Sequence, residues 1–260
     1  MTIAERLQDF RQRGFNAETA TVLVLIEESL HSLFTSFPNT FVLFGGATLV
    51  LFYDSQRHSG DVDLLVNCDD PPQLAEIIDA ITPALNEVAE TLNLAPLTIE
   101  STNPAGTFEK LSITGPQGQV LFTIDITRIS ALIKSELVKK PLLAGETQVQ
   151  YPSKNLLLLH KAEAFLDRRN VKARDAFDVK LLLDTGAELD VNLKLHLQDG
   201  TVSERLEDPD FIHKRIDAIN PRLCEAELRG YLPDEVFQEL ARQEFEPLRQ
   251  ALRDLFSEWL

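Results

Sequence analysis

Cysteine is nearly absent. Cys68 and Cys224 are the only two in 260 residues, and neither sits in a C-x-x-C pattern. A disulfide framework and a structural zinc ribbon are both excluded, and a cytoplasmic location is the natural expectation. Long apolar runs are also missing. The longest, residues 41–53, is broken by Gly45 and Gly46 and is shorter than the roughly 20 residues a membrane helix needs. Residues 1–10 carry Glu5 and Asp9 and have no apolar centre, so a signal peptide is not expected there. Positive charge is scarce: 25 Lys and Arg face 41 Asp and Glu, for a net charge of −16. Such a chain is not steered as a whole toward nucleic acid. No G-x-S-x-G elbow and no G-x-x-x-x-G-K-[ST] phosphate loop occurs, which removes α/β-hydrolase and P-loop chemistry. Internal repeats and low-complexity tracts are absent as well.

The sequence does contain enough apolar residues, 44% of the total, to bury a sizeable core. Val22, Leu25, Ile26 and Leu30 recur at helical spacing and predict a helix over 18–35. A short buried strand, 41–44, runs into the Gly45-Gly46 turn, followed by a helix over 47–53. A polar loop, 55–60, leads to a strand over 61–66, and Pro71-Pro72 opens a helix over 73–91. Residues 107–114 and 120–127 alternate around Gly115-Pro116-Gln117-Gly118, which reads as a hairpin. After Tyr151-Pro152 the pattern becomes helical. Ser153 caps a helix to 167, others cover 173–184 and 234–242, and Pro247 stands at the first position of a last one. Leu248, Leu252, Leu255, Phe256 and Trp259 form its inward face. The expected architecture is α+β, with a mixed sheet flanked by helices over 1–150 and a helical domain over 151–260.

The densest chemistry lies between Phe44 and Asp63. Gly45 and Gly46 stand between a strand and a helix, where an absent side chain lets a backbone come close to phosphate oxygens. A glycine pair alone more often marks only a tight turn. Asp61 and Asp63 alternate onto one face of a strand, with Val62 and Leu64 on the other. Two adjacent carboxylates repel unless solvent or a cation compensates them, and Mg2+ suits such oxygen ligands. A solvated edge strand is the plain alternative. Asp125 counts against it, because it sits mid-strand on the face of Thr123 and Thr127, opposite Phe122, Ile124 and Ile126. Three carboxylates on neighbouring strands could ligate two metal ions, one to activate an attacking hydroxyl and both to clamp a transferring phosphate.

The helical part supplies cations. Lys154, Lys161 and Arg168 recur every seven residues on one helix face, and Arg174, Asp175, Asp178 and Lys180 crowd the next helix. Lys161 can hold triphosphate oxygens as a point charge. Arg174 and Asp178, four residues apart, equally suit a structural ion pair. Residues 128–180 hold eleven basic and six acidic side chains, a local charge of +5 that is either a polyanion-binding patch or a solvated helical surface. His58 and His160 have no histidine or cysteine at ligand spacing and read as ordinary residues.

The pattern G-G … R-x-S-x-D-x-D, then K … R-D-x-x-D, is carried by Gly45, Gly46, Arg57, Ser59, Asp61 and Asp63, then by Lys161, Arg174, Asp175 and Asp178. It resembles the AbiEii/AbiGii-type nucleotidyltransferase toxins of the DNA polymerase β-like nucleotidyltransferase superfamily. The resemblance covers residues 41–180. It implies that 1–150 is a nucleotidyltransferase domain and that the helical domain over 151–260 completes a nucleotide and acceptor cleft. It implies Mg2+ or Mn2+ on Asp61 and Asp63, with Asp125 as third carboxylate from the wider superfamily. It also implies nucleotide contacts by Gly45, Gly46, Arg57, Ser59, Lys161, Arg174 and one of Asp175 and Asp178, and Arg168, on the helix face of Lys161, is a further nucleotide-binding candidate. The implied substrate is a nucleoside triphosphate and the implied acceptor an RNA such as tRNA. The implied setting is a bacterial toxin–antitoxin or phage-defence system, with a cognate antitoxin as partner and no membrane. Transfer to a protein or a small molecule, and a non-catalytic nucleotide-binding regulator, are the competing readings.

Overall fold

A computed structural model describes residues 1–102, 108–128 and 136–260. Thr107 of the expected hairpin and Lys134 of the basic segment lie outside the described residues. The chain divides into two compact units, Met1–Pro152 and Ser153–Leu260.

The first unit opens with helices α1 (Ile3–Gln12) and α2 (Ala17–Ser36), followed by β1 (Phe41–Phe44), α3 (Gly45–Phe52), β2 (Asp61–Val66) and α4 (Leu74–Thr91). Next come β3 (Thr98–Thr102), β4 (Phe108–Thr114), β5 (Val120–Arg128), β6 (Leu137–Pro141) and β7 (Gln148–Pro152). The first five strands form one sheet in the order β1-β2-β5-β4-β3, and β6 pairs with β7 separately. Only β2 and β5 run parallel within the larger sheet. The mixed α+β architecture read from the sequence is therefore the one observed.

Local signals explain most boundaries. Asn16 caps α2 by accepting from the Thr19 N–H at 2.8 Å, and Gln73 forms a capping box with Glu76 at the start of α4. Val62, Leu64, Leu111, Ile113, Phe122, Ile124 and Ile126 point to one face of the sheet and join Leu25, Ile26, Leu30, Ile77, Ile81 and Leu85 in one core. The other face, by strand alternation, carries Asp61, Asp63, Thr123, Asp125, Lys110 and Ser112. Five elements differ from the sequence reading. Helix α3 starts at Gly45 itself rather than at Ala47. Strands β3, β6 and β7 and helix α1 were not foreseen.

The second unit contains α5 (Lys154–Asp167), α6 (Ala173–Asp184), α7 (Val191–Asp199), α8 (Ser203–Leu206), α9 (Pro209–Asp217), α10 (Pro221–Leu228), α11 (Asp234–Arg242) and α12 (Glu246–Leu255). Side chains of Ser153, Asp190, Asp208 and Asn220 cap α5, α7, α9 and α10. Pro247 occupies the second position of α12, because Phe245, in a left-handed conformation, is the cap. Leu248, Leu252, Leu255 and Phe256 are buried as expected, whereas Trp259 is half-buried and meets Phe256 edge-on.

Candidate active site

The glycine pair is explained by what lies beside it. Gly45 has φ +69°, and a Cβ there would stand 2.0 Å from Asp63 Oδ2. A Cβ on Gly46 would stand 2.5 Å from Ser59 Oγ and 2.9 Å from an Arg57 guanidinium nitrogen. The space the missing side chains leave is filled by three of the chain's own motif residues. The glycines let β2 and the 55–60 loop close against the start of α3. Within that loop the Arg57 backbone N–H donates to Ser55 Oγ (3.1 Å), and the Arg57 guanidinium donates to the His58 carbonyl (3.1 Å). Ser59 Oγ donates to the Asp61 carbonyl (3.2 Å). Arg57 and Ser59 are buried, and these hydrogen bonds hold the loop. Burial, reinforced by the Arg57 charge, pushes the His58 imidazole below its ordinary pKa.

The three carboxylates stand in register. Asp63 on β2 is directly opposite Asp125 on β5, and Asp125 is directly opposite Lys110 on β4. One step along, Asp61 faces Thr123, whose Oγ1 donates to Asp61 Oδ1 at 2.9 Å. Lys110 Nζ lies 3.1 Å from Asp125 Oδ1 and 3.3 Å from Oδ2. Like charges directly opposite on a sheet are destabilising, and the lysine offsets part of that repulsion. Lys110 was missed by the sequence reading, although it shares the alternating face of Ser112.

These residues fit a magnesium-type cation. Asp61 is exposed and Asp63 half-buried, and both present hard oxygens on one strand face. Mg2+ commonly takes one or two carboxylates and completes its shell with water and substrate phosphate oxygens. Among the described residues no group of three or more His, Cys, Asp and Glu side chains is gathered to hold a metal ion. The fit thus rests on the Asp61–Asp63 pair, with Asp125 engaged by Lys110.

In the second unit Lys161, Arg168, Asp175 and Asp178 form one network. Lys161 Nζ is 2.7 Å from Asp178 Oδ2 and 3.4 Å from Asp175 Oδ1, and Arg168 Nε is 3.2 Å from Asp175 Oδ2. Both aspartates are buried, so both face the same lysine, and α5 and α6 are tied together by charge. Arg174, which the sequence offered either to a nucleotide or to an ion pair with Asp178, lines a surface concavity of about 180 Å³ with Lys172, Ala226, Glu227 and Tyr231. Glu227 accepts from the Ala173 N–H at 2.8 Å and so caps α6 from α10. Arg215, also missed, donates to the carbonyls of Phe165 (2.6 Å) and Arg168 (2.9 Å), anchoring the end of α5.

The basic residues of 128–180 are divided between the two units. Lys139 and Lys140 lie on β6 in the first unit, whereas Lys154 onward belongs to the second. Lys161, Arg168, Lys172 and Lys180 are each paired with an acid, and Lys154 donates to the Thr185 carbonyl.

Solved structures share this fold. A candidate nucleotidyltransferase from H. pylori matches with a TM-score of 0.60 at 17% identity, over 93% of this chain and 97% of that one. JHP933 from Helicobacter pylori matches with a TM-score of 0.57 at 16% identity, over 94% and 96%. The chain belongs to the AbiEii family, described as "Nucleotidyl transferase AbiEii toxin, Type IV TA system", whose profile matches residues 31–259. No curated protein matches it. Among the described residues no helix is long and apolar enough to cross a membrane.

Proposed function

We propose that the chain moves a nucleoside monophosphate from a nucleoside triphosphate to an RNA acceptor, such as tRNA, in the cytoplasm. We take it to act there as the toxin of a toxin–antitoxin or phage-defence pair. The observation that carries this reading is the placement of Asp61 and Asp63 on one open strand face, with Asp125 opposite Asp63. In the reaction an acceptor hydroxyl bonds to the α-phosphorus, the bond to the β-phosphate oxygen breaks, pyrophosphate leaves and the hydroxyl proton is lost. Asp61 and Asp63 hold Mg2+ or Mn2+, which when bound would offset charge on the phosphates. Thr123 fixes the rotamer of Asp61, Gly45 leaves room for Asp63, and Arg57 and Ser59 brace the loop leading into β2. Lys161, Arg168 and Arg174 serve the triphosphate. Arg168 keeps the more accessible charge, because Lys161 is 13% exposed and set between two acids. Lys139 and Lys140, exposed on β6, supply the first unit's attraction for a polyanion. The family's type IV description supports a cognate antitoxin as partner.

The test is transfer of label from each of the four nucleoside triphosphates into total RNA and total protein. Label should enter RNA, and Asp61→Asn or Asp63→Asn should lower the rate at least about a hundredfold, roughly 3 kcal/mol of barrier. Label confined to protein would replace RNA by a protein acceptor. Near-normal transfer by both variants at saturating magnesium would remove the metal assignment.

A further inference from the structure

We propose that the concavity between α6 and α10 seats the nucleoside of the incoming triphosphate, with Tyr231 as the platform for its base. The inference rests on the triphosphate role given to Arg174 and deepens it by naming what holds the rest of the nucleotide. Lys172, Arg174, Ala226, Glu227 and Tyr231 line the concavity, and its volume is about 180 Å³. Pockets for drug-sized ligands run upward from about 300 Å³, so this one takes part of a nucleotide rather than the whole.

The charges inside it are not equivalent. Lys172 Nζ lies 2.9 Å from Glu227 Oε1, and Glu227 Oε2 accepts from the Ala173 N–H at 2.8 Å. Both oxygens of that carboxylate are engaged, and the start of α6 is already capped. Among the described residues Arg174 has no ion-pair partner. Lys172 and Glu227 balance each other, which leaves Arg174 as the surplus cation, and its planar fork suits phosphate oxygens. Arg174 also precedes Asp175, which pairs with Lys161 and Arg168. It is therefore the residue shared by the concavity and the cations given to the triphosphate.

Tyr231 supplies the second kind of contact. Its N–H donates to the Leu228 carbonyl at 3.0 Å, in the turn just past the end of α10. Among the described residues it is the one exposed Phe, Tyr or Trp, at 43%. A Cβ on the preceding Gly230 would meet nothing within 4 Å, so the backbone leading to the ring borders open space. An accessible aromatic face beside an arginine is the combination that holds a stacked base and its phosphate. Every base has such a face, so the contact selects nucleotides over bare phosphate and does not choose among the four bases.

The test is calorimetric titration of the full-length chain, in magnesium, with ATP, with UTP and with inorganic tripolyphosphate. Tyr231→Ala and Tyr231→Leu should each weaken both nucleotides about tenfold and leave tripolyphosphate unchanged, whereas Tyr231→Phe should keep the wild-type affinities. Arg174→Ala should weaken all three ligands. Thermal unfolding checks that each variant is folded, and two non-aromatic variants guard against the failure of one. Nucleotide affinity unchanged by the loss of the ring, an equal loss for tripolyphosphate, or the same loss in Tyr231→Phe would overturn the platform. Tripolyphosphate binding that still depends on Arg174 would then leave the triphosphate reading standing, and binding indifferent to Arg174 would overturn that as well. A short single-stranded RNA that loses affinity in Tyr231→Ala while ATP does not would assign the concavity to the acceptor instead.

Discussion

Gly45 and Asp63 share one space: a Cβ on the glycine would stand 2.0 Å from the aspartate's Oδ2, at a backbone φ of +69°. Gly45→Ala therefore combines a left-handed alanine with a clash against a proposed metal ligand. The backbone strain alone should lower stability by roughly 1–3 kcal/mol. Manganese affinity should fall as well, because Asp63 must turn away. Urea unfolding and a manganese titration measure the two effects separately. A variant with wild-type stability and affinity would show that the close approach is not a constraint.

Lys161 carries both a proposed functional role and a structural one. Its ammonium is 13% exposed, and the aspartates it joins are almost fully enclosed. Removing one partner of a buried ion pair typically costs about 3–5 kcal/mol, whereas replacing both by apolar groups is often neutral. Lys161→Ala should accordingly destabilise the chain by about 3 kcal/mol, and Lys161→Met combined with Asp178→Leu should recover much of the loss. Stability restored without transfer activity would separate nucleotide binding from scaffolding. A Lys161→Ala protein as stable as the wild type would show that the network does not hold α5 to α6.

Glu27 on α2 is buried beside Arg6 of α1, and burial pushes its carboxyl up to about 7 despite the arginine and the Leu143 N–H. Its folded pKa lies above the ordinary value of 4.5, so the folded state holds the proton more tightly. The stabilisation is complete below pH 4.5 and is lost as pH rises to about 7. At about 1.4 kcal/mol per pH unit, that is a decline of about 3 kcal/mol. Glu27→Gln should flatten this part of the stability profile measured by urea titration. An unchanged slope in the variant would assign the decline to other groups.

The two thiols should react differently. Cys224 is buried, and burial pushes its thiol up to about 12, whereas Cys68 is half-exposed. N-ethylmaleimide at neutral pH should add once to the native chain, at Cys68, and twice in urea, read by mass spectrometry. Rapid double addition to the native protein would contradict the packing around Cys224.

What the sequence made legible followed from local periodicity. Alternation alone placed Asp61 and Asp63 on one strand face and put Asp125 opposite Ile124 and Ile126. The Gly-Gly turn was visible too, but its reason was not. No local rule announces that Asp63 will fill the space beside Gly45, because that contact depends on how β1 pairs with β2. The facing of Asp63 and Asp125 depends on a parallel pairing between distant strands. Lys110 was hidden by a register shift in the β4–β5 hairpin between Ile113 and Thr114. Glu27 was not singled out, since the arginine beside it comes from α1, a helix the sequence reading did not foresee. In the second unit, seven-residue spacing found Lys161 and Arg168. The acids that pair with them lie on the neighbouring helix α6.

Thr123 hydrogen-bonds to Asp61 across 62 residues of sequence, and α4, β3 and β4 all lie between them. Asp61 and Asp63 are translated early, but the strand that pairs with theirs comes much later. Closing so long a loop gains nothing until the distant strand pairs. A partly synthesised chain thus carries the two aspartates without their neighbours. The carboxylate face is assembled only when β5 has been made and has paired with β2.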